Sequence, residues 1–256
     1  MHITQVRNAT LLIDYAGTRF LIDPMLSAKD SLPGFEGTAN SHLRNPLVEL
    51  PLPLAKLIDV DAVIVTHDHP DHWDLAAQQQ IPKHLPLFVQ HQKDADSIRA
   101  SGFHDVRLLG ESAEFAGIRL QRTEGQHGSD DIMAVLGERL GEVCGVVFSH
   151  PGEKRLYLAG DTVWNEMVEQ SLRQHRPEVV VLNCGDAHIP GLGAIIMNKE
   201  DVLAVHQAAP QATLIASHLE AVNHALLSRH ELRDYLGKHG IQERVLVPED
   251  GETLVF

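Results

Sequence analysis

The stretch Thr66 to Asp74 reads Thr-His-Asp-His-Pro-Asp-His-Trp-Asp and follows directly on the apolar run Ala62 to Val65. It places His67, His69, Asp71 and His72 almost side by side, a density of imidazole and carboxylate that suits a divalent metal ion. The preceding Asp61-Ala-Val-Ile-Val is short and β-branched, as a strand covered on both faces should be. Pro70 followed by an acidic residue is a helix-start signal, so the four candidate ligands are expected on a strand-to-helix turn. Asp68 and Asp74, in the same turn, are expected to orient imidazoles or cap the helix.

Working outward, 256 residues of 28.3 kDa with 43% hydrophobic content can build a sizeable core. No linker composition divides the chain, so 1–256 is expected to be one domain. Thirty-five acidic against 21 basic residues give a formal charge of -14. That balance argues against a nucleic-acid or anionic-membrane surface, which depends on clustered Lys and Arg. The amino-terminal apolar stretch is interrupted at Asp14 and Gly17 and lacks a charged leader, so neither a signal peptide nor a membrane span is expected, and the cytoplasm is the expected compartment. Cys144 and Cys184 are expected as buried free thiols.

Residues 3–24 read as two strands around a turn at Gly17. From Ser27 to Pro53 periodicity is lost and prolines and glycines accumulate. So long an irregular stretch, carrying Phe35, Asn40, His42 and Arg44, is expected to form a wall or lid of a ligand cleft. The second half then repeats the first. Val147 to Asp161 mirrors the first hairpin, Glu178 to Asp186 mirrors the strand leading into the histidine loop, and Ala212 to His218 mirrors the strand at Leu87. Two copies of a strand-rich unit with flanking helices argue for an α/β fold in which two packed sheets are covered by helices, a four-layer αββα sandwich.

The His-x-His-x-Asp-His loop resembles the signature of the metallo-β-lactamase fold superfamily. Later ligands of that family match in order at His127 in Glu-Gly-Gln-His-Gly, Asp161 in Ala-Gly-Asp-Thr and His218 in Ala-Ser-His-Leu-Glu. Within the superfamily the chain looks most like the bacterial branch that includes ascorbate-phosphate lactonase and N-acyl phosphatidylethanolamine phospholipase relatives. The resemblance implies one metal on His67, His69 and His127, a second on Asp71, His72 and His218, and Asp161 bridging both. It also implies a catalytic part for Asp71. The donor set suits Zn²⁺ first, with Mn²⁺ or Fe²⁺ next.

Two such ions would activate water as a nucleophile toward a small ester, lactone, amide or phosphodiester, and the excess positive charge at the metals favours an anionic substrate. His188, Asn223 and His224 lie on loops expected near the site and are candidate substrate contacts. A homo-oligomer is compatible with all of this. Two other functions compete: an iron-dependent redox enzyme, against which diiron relatives carry Glu where Asp71 stands, and a regulatory protein with an idle site, against which all seven ligand positions are filled.

Overall fold

The computed structural model describes residues 1–111 and 113–256. Its first half runs β1 (His2–Arg7), β2 (Thr10–Tyr15), β3 (Thr18–Ile22), α1 (Leu54–Leu57), β4 (Ala62–Val65), α2 (Leu75–Gln80), β5 (Leu87–Val89), α3 (Gln92–Ala100) and β6 (Val106–Leu108). There follow β7 (Ala113–Phe115), β8 (Ile118–Glu124), α4 (Asp130–Leu140), β9 (Cys144–Ser149), β10 (Leu156–Leu158), α5 (Glu166–His175), β11 (Val179–Asn183), the short pair β12 (His188–Ile189) and β13 (Gly193–Ala194), α6 (Lys199–Ala208), β14 (Thr213–Ser217), α7 (Arg229–His239), β15 (Val245–Leu246) and β16 (Thr253–Val255).

The two large sheets have strand orders β16-β1-β2-β3-β4-β5-β6 and β15-β14-β11-β10-β9-β8-β7. In each, three antiparallel strands lead into a parallel run, β3 to β6 in one and β10, β11, β14, β15 in the other. Even the outer strands correspond, β16 flanking β1 and β7 flanking β8, both antiparallel. The repeat read from the sequence is therefore a repeat of topology.

Layering follows from side-chain alternation along each strand. In β4, Ala62 and Ile64 face the second sheet while Val63 and Val65 face α2 and α3. In β11, Val179 and Val181 point inward and Val180 and Leu182 toward the helices α5, α6 and α7. Covering both faces explains why these strands read as unbroken apolar runs. Between the sheets Phe20 meets Phe148 edge-on, ring centroids 5.3 Å apart, and Tyr15 tilts against the same ring at 5.6 Å. The result is the expected αββα order.

Several local expectations are corrected. Pro70 does not start a helix: residues 70–73 form a turn in which the His72 and Trp73 amides both donate to the His69 carbonyl, and α2 begins only at Leu75. Asp74 caps it, accepting from the Ala77 amide at 2.7 Å and from the Ser27 amide at 2.7 Å. The segment 3–24 holds three strands, because β1 is separated from β2 by a tight turn at Asn8 with φ of 53°. Helices α4, α5 and α6 escape the sequence reading, α5 and α6 because their faces are short and mixed. The thiols of Cys144 and Cys184 are buried and free, as expected, and burial raises both thiol pKa values. No helix among the described residues is long and apolar enough to cross a membrane.

Candidate metal centre

Strands β3, β4, β8, β10, β11 and β14 release their chains at one edge of the sandwich, and each delivers a polar residue there. His67, His69, Asp71 and His72 come from the loop after β4, His127 from the loop after β8, Asp161 from the turn after β10 and His218 from the end of β14. All are buried except His69, which is half-buried. The loop geometry is specific. Gly160, just before Asp161, has φ of 73°, and a Cβ there would lie 2.2 Å from the Cys144 carbonyl oxygen, so only glycine allows this approach. His218 itself adopts φ of 62°, a left-handed backbone that a non-glycine residue holds only when its surroundings enforce it.

One oxygen sits at the centre. Asp161 Oδ2 is 3.1 Å from His72 Nε2, 3.7 Å from His127 Nε2, 3.7 Å from His218 Nε2 and 3.9 Å from His67 Nε2. Asp71 Oδ2 lies 3.3 Å from His218 Nε2 and 4.0 Å from His72 Nε2. Three groups of donor atoms fall within 4.8 Å of one another: His67, His69 and His127; His67, His72 and Asp161; and Asp71, His72 and His218. The first and third are the sets paired by the family resemblance.

The donors suit a cation. Among the described residues both ring nitrogens of His218 are buried without a hydrogen-bond partner, and His67 Nε2 faces His69 Nδ1 at 3.0 Å. Buried polar atoms left unpaired are costly, and lone pairs directed at a shared cation remove that cost. Electrostatics agree. Burial pushes His67 well below the usual imidazole range, helped by the rings of His72 and His69, and burial pushes His127 down to about 4. Burial opposes ionisation of Asp161 and Asp71 as well, but the neighbouring His72 and His218 outweigh it and hold both carboxyls far below their ordinary values. For His72 and His218 burial is in turn outweighed, chiefly by Asp161, and their pKa values rise.

Three further side chains fix these groups in place, and none was singled out from the sequence. Asp23 accepts from the Thr66 amide at 2.7 Å, from Thr66 Oγ1 at 2.7 Å and from His72 Nδ1 at 2.9 Å, which leaves His72 Nε2 facing Asp161. Asn183 donates to Asp161 Oδ1 at 2.8 Å, so the carboxylate presents only Oδ2 to the imidazoles. Asn8 donates to the Asp71 carbonyl at 3.0 Å. His127 is oriented by the main chain, its Nδ1 donating to the Ile195 carbonyl at 2.7 Å. The repeat held a signal for two of them: Asp23 ends β3 as Asp161 follows β10, and Asn183 ends β11 where Thr66 follows β4. Asp68, by contrast, is exposed and orients nothing in the described contacts.

A cavity of about 250 Å³ opens over His69, Asp71, His127 and Asp161. Phe35, Pro70, Leu140, Ile189 and Ile195 give it apolar walls, and exposed Arg139 stands at its open side, donating to the Glu36 carbonyl. The 27–53 loop therefore forms one wall, through Phe35 and Thr38, whereas Asn40, His42 and Arg44 are exposed and lie outside it. Of the three candidate substrate contacts only His224 lines the cavity. Asn223 is instead a clip. Its Oδ1 accepts from the Phe35 amide and from Asn45 Nδ2, and its Nδ2 donates to Thr38 Oγ1 and the Ala39 carbonyl. His188 turns away to pair with Asp186 at 2.9 Å, and its neighbour Ile189 reaches the cavity in its place. A larger hollow of about 780 Å³ between Gln90 and Gln174 is lined by none of the clustered ligands.

Comparison with known proteins agrees with this geometry. Residues 18–219 match the family described as beta-lactamase superfamily domain. The UPF0173 protein YddR of Bacillus subtilis is 48% identical over 257 residues, covering 100% of both chains. The UPF0173 metal-dependent hydrolase of Korarchaeum cryptofilum is 23% identical over 254 residues, 99% of this chain and 98% of that protein. Among solved structures, the isothiocyanate hydrolase from Delia radicum gut bacteria superposes with a TM-score of 0.98 at 50% identity, covering 100% of this chain and 99% of the other. With the histidine loop, the doubled sheet and the ligands from both halves meeting at one edge, the chain belongs to the β-lactamase superfamily and, within it, to the metal-dependent hydrolases.

Proposed function

We propose that this chain binds two divalent ions and hydrolyses small, largely apolar isothiocyanates. The observation that carries the reading is the convergence of five imidazoles and two carboxylates at the base of an apolar cavity, in a chain 50% identical over its whole length to an isothiocyanate hydrolase. His67, His69 and His127 would hold one ion, Asp71, His72 and His218 the other, and Asp161 would complete the donor set. Bound there, the ions supply an acidified water and polarise the group under attack.

The chain's own residues do the rest. Asp161, locked by Asn183, keeps the two donor sets in register. Asp71, which stays ionised, accepts a hydrogen bond from water at its carboxylate. The apolar walls contributed by Phe35, Leu140, Ile189 and Ile195 favour a neutral organic substituent over a hydrated one and keep bulk water from the reacting carbon. The charge count points the same way. Any divalent ions held here would face the carboxylates of Asp71 and Asp161, with Asp23 behind His72, so the protein's own carboxylates would offset most of their charge. A neutral substrate fits such a site better than an anionic one.

In the overall reaction water adds to the central carbon of R–N=C=S, forming a C–O bond while the C=N pair moves to nitrogen, which takes a proton from the water. Loss of the C–N bond from the resulting thiocarbamic acid, with its remaining proton passing to nitrogen, yields R–NH₂ and carbonyl sulfide. The test is turnover of benzyl isothiocyanate by protein of measured metal content, beside a lactone, a p-nitrophenyl ester and a phosphodiester, with amine release as the readout. Fully loaded protein that spares the isothiocyanate while cleaving one of the others would replace this substrate assignment.

A further inference from the structure

His224 is accounted for neither by the two donor sets nor by the packing of the fold. It lines the cavity, is 6% exposed, and stands edge-on to Phe35 with ring centroids 5.2 Å apart. Phe35 cannot drift from it, because Asn223 holds the Phe35 amide. Its Nδ1 is buried without a hydrogen-bond partner, and no carboxylate pairs with either ring nitrogen among the described residues. Nε2 has no hydrogen-bond partner among the described residues and is not sealed off as Nδ1 is, which leaves it as the nitrogen available to a molecule in the cavity.

We infer that His224 is a catalytic residue, a neutral imidazole whose Nε2–H donates a hydrogen bond to the substrate heteroatom on which negative charge develops. The tautomer follows from the burial of Nδ1: an orphaned buried donor is rarer and costlier than an under-used acceptor, so the proton resides on Nε2. Neutrality follows from burial, which outweighs the nearby carboxylates of Asp71 and Asp161 and holds the ring pKa down to about 4. The imidazole keeps its proton throughout. As water adds to the isothiocyanate carbon, the pair displaced from the C=N bond accumulates on nitrogen, His224 steadies it, and the proton that finally reaches that nitrogen comes from the water. A donor fixed in advance in a water-poor cavity is worth more than one in solution, about 10²–10³ in rate.

The inference rests on the hydrolase reading above, and two measurements separate their fates. Zinc-loaded wild type, His224→Phe and His224→Gln are compared on benzyl isothiocyanate. Phe should lower kcat by about 10²–10³ with KM within about threefold and metal content unchanged, and Gln, which retains an N–H donor, should recover at least about tenfold of the loss. Independently of turnover, ¹⁵N spectra of histidine-labelled zinc protein should show His224 as the Nε2–H tautomer at neutral pH, with that signal shifting on addition of benzyl carbamate, a neutral acceptor of similar shape. If wild type spares isothiocyanates, the substrate assignment falls and the spectra decide on His224. An Nδ1–H tautomer, a signal indifferent to benzyl carbamate, loss of metal in His224→Phe, or unchanged kcat in that variant overturns the role.

Discussion

Asp23→Asn changes one oxygen to an amide and leaves shape intact, yet it should disable the metal centre. The carboxylate accepts three hydrogen bonds, from the Thr66 amide and hydroxyl and from His72 Nδ1. An asparagine can still accept from the Thr66 amide through Oδ1, but its Nδ2 then faces His72 Nδ1 as a donor. The ring must surrender the proton at that nitrogen and carry it on Nε2 instead, where it points at Asp161 Oδ2 only 3.1 Å away. The lone pair intended for a cation is then occupied. Loss of such an orienting partner costs about 10–100-fold in metal affinity, or about 1.4–2.8 kcal/mol at 1.4 kcal/mol per decade. Competition with a fluorescent zinc chelator reads the affinity, and ¹⁵N shifts of His72 in the zinc-loaded protein read which ring nitrogen carries the proton. Zinc affinity within twofold of wild type would refute the reasoning, since the same geometry leaves no other route to a free Nε2.

Asp161→Ala removes the oxygen around which four imidazole nitrogens are arrayed, so metal content should fall toward one ion per chain and kcat by orders of magnitude, read by elemental analysis and steady-state kinetics with circular dichroism unchanged. Asn223→Ala cuts the side-chain bonds that hold Phe35, Thr38, Ala39 and Asn45; at about 0.5–1.5 kcal/mol each the variant should lose several kcal/mol in urea unfolding and admit proteolysis within 27–53, with KM raised before metal is lost. The pH dependence of metal-stripped protein carries a fourth expectation. His224 has a folded pKa of about 4, below the unfolded imidazole value of about 6.5, so between those values the unfolded state binds more protons and stability falls as pH falls. Replacing it by Phe removes that contribution, on the order of 3 kcal/mol. His224→Phe should therefore gain stability relative to wild type on going from pH 7 to pH 4, and parallel curves would exclude a buried neutral ring.

What could be read from the chain depended on contiguity. His67, His69, Asp71 and His72 declared themselves because one loop carries them all, and His127, Asp161 and His218 because each sits in a short family pattern. Asp23 and Asn183 act through single hydrogen bonds to residues far away in sequence, and neither residue type is unusual at the end of a strand. Asp23-Pro24 read simply as the end of a hairpin. The strands of both sheets were legible because burial on two faces leaves uninterrupted apolar runs. Helices α5 and α6 were not, since a helix packed on a sheet by one narrow stripe buries few of its residues, Val168, Ser171 and Leu172 in one and Val202 and Val205 in the other. The misplaced start of α2 has a local cause: Pro70 is favoured at a helix start and equally in a tight turn, and here the His69 carbonyl takes two amides in a turn before Asp74 opens the helix. His188 was misjudged because the repeat predicts backbone position, not the direction of a side chain beside a competing carboxylate.

The edge where the ligands meet is also a seam. His67, His69, Asp71 and His72 issue from one sheet and His127, Asp161 and His218 from the other, and the two sheets adhere through apolar packing without sharing a strand. Both cysteines are free, so no disulfide ties one sheet to the other. Cations bound at this seam would act as a rivet whose strength is set by supply: an ion held at a thousandfold excess over its dissociation constant adds about 4 kcal/mol to the folded state, comparable with a whole disulfide. The working lifetime of a protein riveted in this way would be tied to the free metal in its surroundings, and scarcity of the ion should shorten it through unfolding as well as through lost turnover.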